Sequence, residues 1–291
     1  MLEKLKIITR ESKLAIWQSN YIKYKLKTIC KKKIIQITKI KTYGDKNTFI
    51  PLWNIGGKGL FIKELEQILI ENKADIAIHS IKDMPYIIPK TLNIITITKR
   101  NNSRDVFISK NYKNLNKLPL FSTIATTSLR RKLQIFIKRP DLNIIPLRGN
   151  IDSRIKKLIN NQFNSIILSA AGITRLKFYK YLQTYININD IIPAIGQGAI
   201  ALEAKKNHIT KLQCKKTYKC IYTERYISKI LKSSCLSPIG IITKYESKYI
   251  FLNAIISNNK KTIIRSSNNT INFFFKNIGK ITSQNLIIKG F

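Results

Sequence analysis

The chain opens with short apolar runs that alternate with stretches whose apolar positions recur three and four residues apart. Residues 5–9 read as a strand, and Leu14, Trp17, Tyr21 and Tyr24 then fall at helical spacing within residues 14–26. Residues 34–40 predict a second strand. Phe61, Leu65, Ile68 and Leu69 stand at i, i+4, i+7 and i+8 and predict a second helix, and residues 74–78 predict a third strand. This alternation predicts a parallel, doubly wound sheet. The rhythm then returns. Residues 121–125, 143–147 and 165–169 predict strands, with helices marked by Leu129, Leu133, Phe136 and Ile137, by residues 151–159, and from about Ala171 onward.

Beyond that point the pattern changes. The glycine-punctuated run at 194–204 predicts a strand that crosses back to the first unit, and the polar stretch 205–216 reads as a linker. Residues 220–231 predict a helix. Residues 249–256 and 261–265 flank Ser257-Asn258-Asn259-Lys260, a hairpin signal, and 270–278 predict a helix packed on that hairpin. The expected division is an α/β domain at 1–98 with a return segment at 194–210, a second α/β domain at 99–193, and a small α+β domain at 211–291.

Hydrophobic residues make up 44% of the 291, enough for packed cores and too many for general disorder. No apolar run approaches the ~18 residues of a membrane span. Charges interrupt the apolar stretch at the N-terminus at once, so no secretory signal is visible. Cys30, Cys214, Cys220 and Cys235 form no CxxC pair, which points to a cytoplasmic protein with reduced thiols. His79 and His208 lie far apart with no cysteine near either, so no metal site is expected.

Charge changes the picture in one respect. The 53 lysines and arginines outweigh 15 acids to give +38, a balance that first suggests nucleic acid. The excess is mostly lysine interleaved with isoleucine and asparagine, the pattern of a solvated surface and not of a dedicated basic face. Arginines behave differently: Arg100, Arg104, Arg130, Arg131, Arg139, Arg148 and Arg154 gather in one short region. Their planar forks grip carboxylates and phosphates bidentately, which lysine cannot copy.

Five stretches carry candidate chemistry. Gly56-Gly57-Lys58-Gly59 precedes a predicted helix, where glycines let backbone N–H groups approach an anion, though it lacks the P-loop spacing. His79-Ser80-Ile81-Lys82-Asp83-Met84-Pro85 follows a strand, where open α/β sheets bind ligands. Thr126-Thr127-Ser128-Leu129-Arg130-Arg131 offers Thr127 or Ser128 as an N-cap, followed by two arginines at the positive helix end. A bound anion is the simplest relief for that clash. Leu147-Arg148-Gly149-Asn150, with Arg154 a turn later, again sets arginine where a strand meets a helix, as does Arg10 after the first strand. These junctions suit a ligand with several negative charges. Finally, Cys235 lies in a loop of small residues, Ser233 to Gly240, where a thiol is either exposed and reactive or buried and inert.

In order and spacing these stretches, with Thr9-Arg10-Glu11-Ser12 and Pro193-Ala194-Ile195-Gly196-Gln197-Gly198, resemble the porphobilinogen deaminase (hydroxymethylbilane synthase) family. The resemblance runs through the whole chain. It implies two doubly wound α/β lobes resembling periplasmic binding proteins, plus a small α+β C-terminal domain that carries the cysteine. It implies a dipyrromethane cofactor joined by a thioether to Cys235. Four porphobilinogens are added to it head to tail, each losing ammonia, before water releases the linear tetrapyrrole. By the same resemblance Lys82, Asp83, Thr127, Ser128, Arg130, Arg131, Arg148 and Gly149 bind cofactor. Arg10, Ser12, Lys58, Arg148, Arg154, Arg175 and Gln197 bind porphobilinogen and the growing polypyrrole. Asp83 stabilises the azafulvene cation left by ammonia loss. A cytoplasmic monomer, with no specific nucleic-acid or membrane partner, is implied.

The chain departs from the family pattern in three places. Ser233-Ser234 stand where glycines usually precede the cysteine, Leu236-Ser237 replace a more usual Gln-Val, and Tyr43 stands where an arginine often precedes Gly44-Asp45. Two other classes remain open from the residues: a non-catalytic two-lobed anion-binding protein, and a nucleic-acid-binding protein favoured by the charge alone.

Overall fold

A computed structural model describes residues 4–30, 33–46, 59, 62–181, 184–205, 211–233, 237–257, 263–271 and 274–290. The chain separates into two compact units, Met1–Arg100 with Ala199–Tyr218, and Asn101–Gly198 with Lys219–Phe291.

The first unit is built on β1 (Lys4–Arg10), α1 (Lys13–Ile29), β2 (Ile34–Ile40), the single turn α2 (Tyr43–Lys46), α3 (Lys63–Ile70), β3 (Ile76–Ser80) and β4 (Asn93–Ile97). Ser12 caps α1, its hydroxyl accepting from the Ala15 N–H. α1 turns Ile22 and Leu26 onto one face of the sheet, while α3 turns Leu65 and Leu69 onto the other. The helical face of α1 differs from the expected one. Ala15, Gln18, Ser19, Ile22 and Leu26 are buried, whereas Trp17 and Tyr21 stack on each other at the margin of the core and Tyr24 is exposed. Aromatic rings at helical spacing are amphipathic enough to line a rim, and the aliphatic residues take the interior.

The second unit begins with β5 (Asp105–Ser109), β6 (Thr123–Ala125), α4 (Leu129–Lys138), β7 (Asn143–Ile145), α5 (Ile151–Ile159), β8 (Ser165–Ser169), α6 (Ala170–Arg175) and β9 (Thr184–Tyr185). β10 (Ile200–Ala204) then returns to the first unit. Only the end of the expected 194–204 strand is strand; residues 194–198 turn instead. Gly198 has φ +93°, and a Cβ there would stand 2.6 Å from the Asn101 carbonyl, so this close approach requires glycine.

The strand orders are β2-β1-β3-β10-β4 and β7-β6-β8-β5-β9, each with helices on both faces. Both sheets are doubly wound, but they are mixed and not wholly parallel. β10 runs antiparallel to β3 and β4, and β5 antiparallel to β8 and β9. Periodicity cannot reveal this, because a buried strand is apolar whichever way it runs.

The C-terminal part comprises α7 (Lys215–Ile230), β11 (Ile239–Glu246), β12 (Tyr249–Ser257), β13 (Ile263–Ile271) and α8 (Phe275–Ile288). The three strands form an antiparallel meander with α7 and α8 contributing Ile227, Ile278 and Leu286 to its core. The polar stretch expected as a linker already enters α7 at Lys215, and the helix expected at 270–278 starts only at Phe275, because β13 runs on to Ile271. Serine and asparagine fill β13, so its strand is set by pairing with β12 and not by side-chain propensity. The proposed hairpin tip and Phe61 lie outside the described residues.

Glu224 of α7 ties this part to the preceding loop. It is wholly buried, and its carboxylate accepts from the Gly196 N–H at 2.7 Å and the Thr243 N–H at 2.8 Å. Glu224→Ala leaves both buried donors unsatisfied and should lower the unfolding free energy by about 2–6 kcal/mol, at ~1–3 kcal/mol per orphaned group. Urea unfolding at neutral pH measures this, with Glu224→Gln expected between the two.

Candidate active site

In the first unit, one cavity lies beyond the carboxyl ends of β1 and β3. It is lined by Arg10, Ser12, Leu14, Ala15, Gln18, Ile62, Ile78, His79, Ser80 and Asp83. β3 is an unbroken apolar run until its last residues, so the polar groups emerge only where the strand stops. Ile81–Asp83 then form a single 3-10 turn that carries Lys82 and Asp83. Gln18 reaches across from α1 and donates to the Ser80 hydroxyl at 2.8 Å. Asp83 is therefore an acidic group set among hydroxyl, amide and guanidinium groups.

Arg10 is already engaged. Its guanidinium donates to both carboxylate oxygens of Asp45, which also accepts from the Thr42 hydroxyl at 2.8 Å. Burial opposes ionisation of Asp45, but the Arg10 hydrogen bonds and charge outweigh it and hold the carboxyl below its ordinary value. The sequence offered Gly44-Asp45 as the remnant of a motif; its physical role is to orient Arg10.

The second unit gathers most of the remaining predicted residues. Ser128 caps α4, accepting from the Arg131 N–H. The Thr127 hydroxyl donates to the Leu147 carbonyl at 3.0 Å, which ties the start of α4 to the turn after β7. Arg148 is half-buried in that turn, and Arg154 donates to the Gly149 carbonyl at 2.7 Å. Gly149 has φ +111°, and a Cβ there would strike the Ser153 hydroxyl at 2.3 Å. Arg175 is buried and donates to the Gly198 carbonyl at 2.7 Å.

The sequence makes a bound anion the simplest relief for Arg130 and Arg131, and the chain itself supplies one acid there. Asp105, the first residue of β5, is 0% exposed and accepts from Arg130 at 2.9 Å and from Arg131 at 2.8 and 3.2 Å. Gln197 adds a fourth donor at 2.9 Å. The guanidiniums also donate to the carbonyls of Ile192 and Ile167. Burial alone would raise the Asp105 carboxyl, but the two arginines reverse this and hold it well below the ordinary carboxylate range. Burial conversely lowers Arg130. One negative charge still faces two positive ones. The cluster keeps an excess cation, and the Arg130 Nε–H has no acceptor. Asp105 was visible in the sequence only as the neighbour of Arg104, and no local signal marked it. Arg139 pairs with Asp141 and donates to the carbonyls of Leu115, Leu118 and Pro119, so it is structural.

Arg10, Ser12, Lys82 and Asp83 thus belong to the first unit, and Thr127, Ser128, Arg130, Arg131, Arg148, Gly149, Arg154, Arg175 and Gln197 to the second. Lys58 and Cys235 lie outside the described residues. Among the described residues no group of histidine, cysteine and acidic side chains could hold a metal ion, and no helix is long and apolar enough to cross a membrane.

Open α/β sheets take their ligands beyond the carboxyl ends of the strands, and here cationic and hydrogen-bonding groups gather at those ends. Residues 5–213 match the family model described as "Porphobilinogen deaminase, dipyromethane cofactor binding domain". The chain is 44% identical over 259 residues to the porphobilinogen deaminase of Blochmanniella floridana, covering 87% of this chain and 83% of that protein. It is 40% identical over 292 residues to that of Blochmanniella pennsylvanica, covering 98% and 97%. Among solved structures it is similar to the periplasmic aliphatic sulphonate binding protein SsuA from Escherichia coli, at 10% identity and a TM-score of 0.42 over 79% of this chain and 71% of that one, a likeness that carries no further weight. The chain belongs to the porphobilinogen deaminase family. It is a transferase of tetrapyrrole biosynthesis with a dipyrromethane cofactor, which sets aside the non-catalytic alternative.

Asp105→Ala should destabilise the second unit by about 3–5 kcal/mol, because it leaves two buried guanidiniums without their counter-charge. Since the folded-state carboxyl is depressed, its contribution is present above the unfolded value of 3.8 and lost as pH falls. Urea unfolding of wild type and variant should show the difference at pH 7 and its shrinkage in acid.

Proposed function

We propose that this chain is a hydroxymethylbilane synthase that condenses four porphobilinogens head to tail on a dipyrromethane held by a thioether to Cys235, then releases the linear tetrapyrrole by hydrolysis. The observation that carries the reading is the first-unit cavity, where Asp83 stands among Arg10, Ser12, Gln18 and Ser80. A pyrrole bearing acetate and propionate needs both kinds of partner: an acceptor for its N–H and donors for its carboxylates.

The donor set also fits the cofactor. Two linked pyrroles bring four carboxylates, and the excess cation and orphaned Nε–H at Arg130 suit an added anion. When bound, the dipyrromethane supplies the pyrrole carbon to which the first new unit is joined. The chain's own residues bind and orient. Arg10, Ser12, Lys58, Lys82, Arg148, Arg154 and Arg175 hold carboxylates, with the Gly149 backbone, Thr127, Ser128 and Gln197 completing the hydrogen bonds. Arg130 and Arg131 contribute through the charge that Asp105 leaves over. Asp83 accepts pyrrole N–H groups and stabilises the cation that ammonia loss leaves on the incoming unit. Cys235 supplies sulfur, a far better nucleophile than a hydroxyl at neutral pH. Cysteines with no CxxC pair fit a protein of the reducing cytoplasm, and we take it to act as a monomer.

Intact mass tests the attachment. Wild type should carry a covalent dipyrromethane, and Cys235→Ser should carry none and have almost no activity; an adduct persisting on the variant would overturn the attachment site.

Asp83→Asn should still fold and load cofactor but lose about 10²–10³ in rate, while Asp83→Glu, which keeps the charge, should lose less. Single-turnover ammonia release compares them; equal rates would reduce Asp83 to a positioning group.

A further inference from the structure

Behind the first-unit cavity lies a pair of titratable groups that the reading above does not use. His79 lines the cavity wall, and its Nε2 stands 3.0 Å from Glu203 Oε2, with the two side chains 3% and 0% exposed. Glu203 comes from β10, beside β3, and shares its sheet face with His79: Glu203 pairs with Ala77, two residues before the histidine. No hydrogen bond forms across this approach: His79 Nε2 and both Glu203 carboxylate oxygens are without a hydrogen-bond partner. A wholly buried carboxylate left in this state is costly and needs a reason.

The neighbours favour the pair. Glu66 of α3 lies close enough for its charge to be felt. Burial first, and the Glu203 charge second, push its carboxyl up to about 7, against the opposing pull of His79 and Lys63. Glu66 is therefore neutral in mildly acidic solution, which leaves Glu203 as the acid facing the imidazole. On the cavity side the charged groups are Arg10, committed to Asp45, and Asp83.

The proposed reaction has a proton to place. When the ammonium of porphobilinogen departs as ammonia, its methylene carbon bonds to the α-carbon of the acceptor pyrrole. The C–H bond at that carbon then breaks, its electron pair returns to the ring, and its proton goes to a base. Each condensation thus yields ammonia and one proton, together one ammonium ion. Asp83, accepting pyrrole N–H groups, is poorly free to take that proton.

We propose that His79 is the base that receives the α-carbon proton, and that Glu203 is a positioning residue that holds the neutral imidazole with its proton on Nε2 and stabilises the imidazolium formed. The inference rests on the proposed function, and the two fail separately. A wild-type protein that makes no tetrapyrrole would refute that function.

Given wild-type turnover, porphobilinogen deuterated at its free α-carbon is the probe. His79→Asn and Glu203→Gln should lower kcat by about 10²–10⁴ and raise the deuterium isotope effect on kcat, with cofactor loading by intact mass unchanged. Wild-type kcat and isotope effect in both folded variants would overturn the proposal. A readout independent of turnover uses the fact that the chain has two histidines. In His208→Gln, the ¹⁵N spectrum of the one remaining imidazole, at a pH where it is neutral, should show the proton on Nε2. A proton on Nδ1 would overturn the proposal even if the Glu203 and His79 variants failed to fold.

Discussion

The second unit is organised around one buried carboxylate. Asp105 collects Arg130 and Arg131 from the first turn of α4 and Gln197 from the turn before β10. The same guanidiniums reach the carbonyls of Ile167 in β8 and Ile192. Residues spread over nearly a hundred positions are thereby fixed to two oxygen atoms. An isolated buried ion would cost several kcal/mol in desolvation, and a buried pair is at best near break-even. What makes this one tolerable is that nearly every donor is matched. The arrangement gives geometric specificity more than stability, because the carboxylate can be satisfied in one way only.

A parallel device serves the first unit. In each sheet the fourth strand in order runs antiparallel and brings in a fully buried acid, Asp105 from β5 and Glu203 from β10. Each acid meets a basic side chain from a neighbouring element, Arg130 and Arg131 of α4 in one unit and His79 of β3 in the other. In the second unit it leaves an excess positive charge suited to a polyanion. In the first it backs a histidine on a cavity wall. Serine caps at the same topological place, Ser12 after β1 and Ser128 after β6, set the first turns of α1 and α4 beside these groups. The repeated architecture thus buries an acid and caps a helix at equivalent positions, with no repeat visible in the residues.

Arginine and lysine have divided the cationic work. Arg130, Arg131 and Arg175 are buried and hold carbonyls or carboxylates, and Arg10 forks onto Asp45. Their delocalised charge is less strongly hydrated than an ammonium, which is why a guanidinium can be buried where lysine would not be. The lysine surplus behind the +38 is an average property of the chain, and an exposed lysine pair such as Lys73 with Glu71 contributes little.

The residues alone determined much of the alternation of strand and helix in both lobes, the N-cap at Thr127 or Ser128, and the strand-end motifs from Arg10 to Gln197, because these depend on spacing within a few positions; β4, β5 and the Ser12 cap were not read from them. They also sufficed to recognise the family, since ordered motifs carry through any fold. Strand direction was not legible: β5 and β10 are apolar runs like their parallel neighbours, and only pairing across the sheet orients them. Nor was the helix at 275–288 placed correctly, because β12 extends β13 through residues that would not form a strand by themselves. The partners of the arginines were hidden for the same reason. Asp105 lies some 25 positions from Arg130 and Arg131, and Glu203 more than a hundred from His79. Tertiary structure decided which charges meet, because the interaction of two ions depends on their separation in space and on the water excluded around them, and neither quantity is written in the order of the residues.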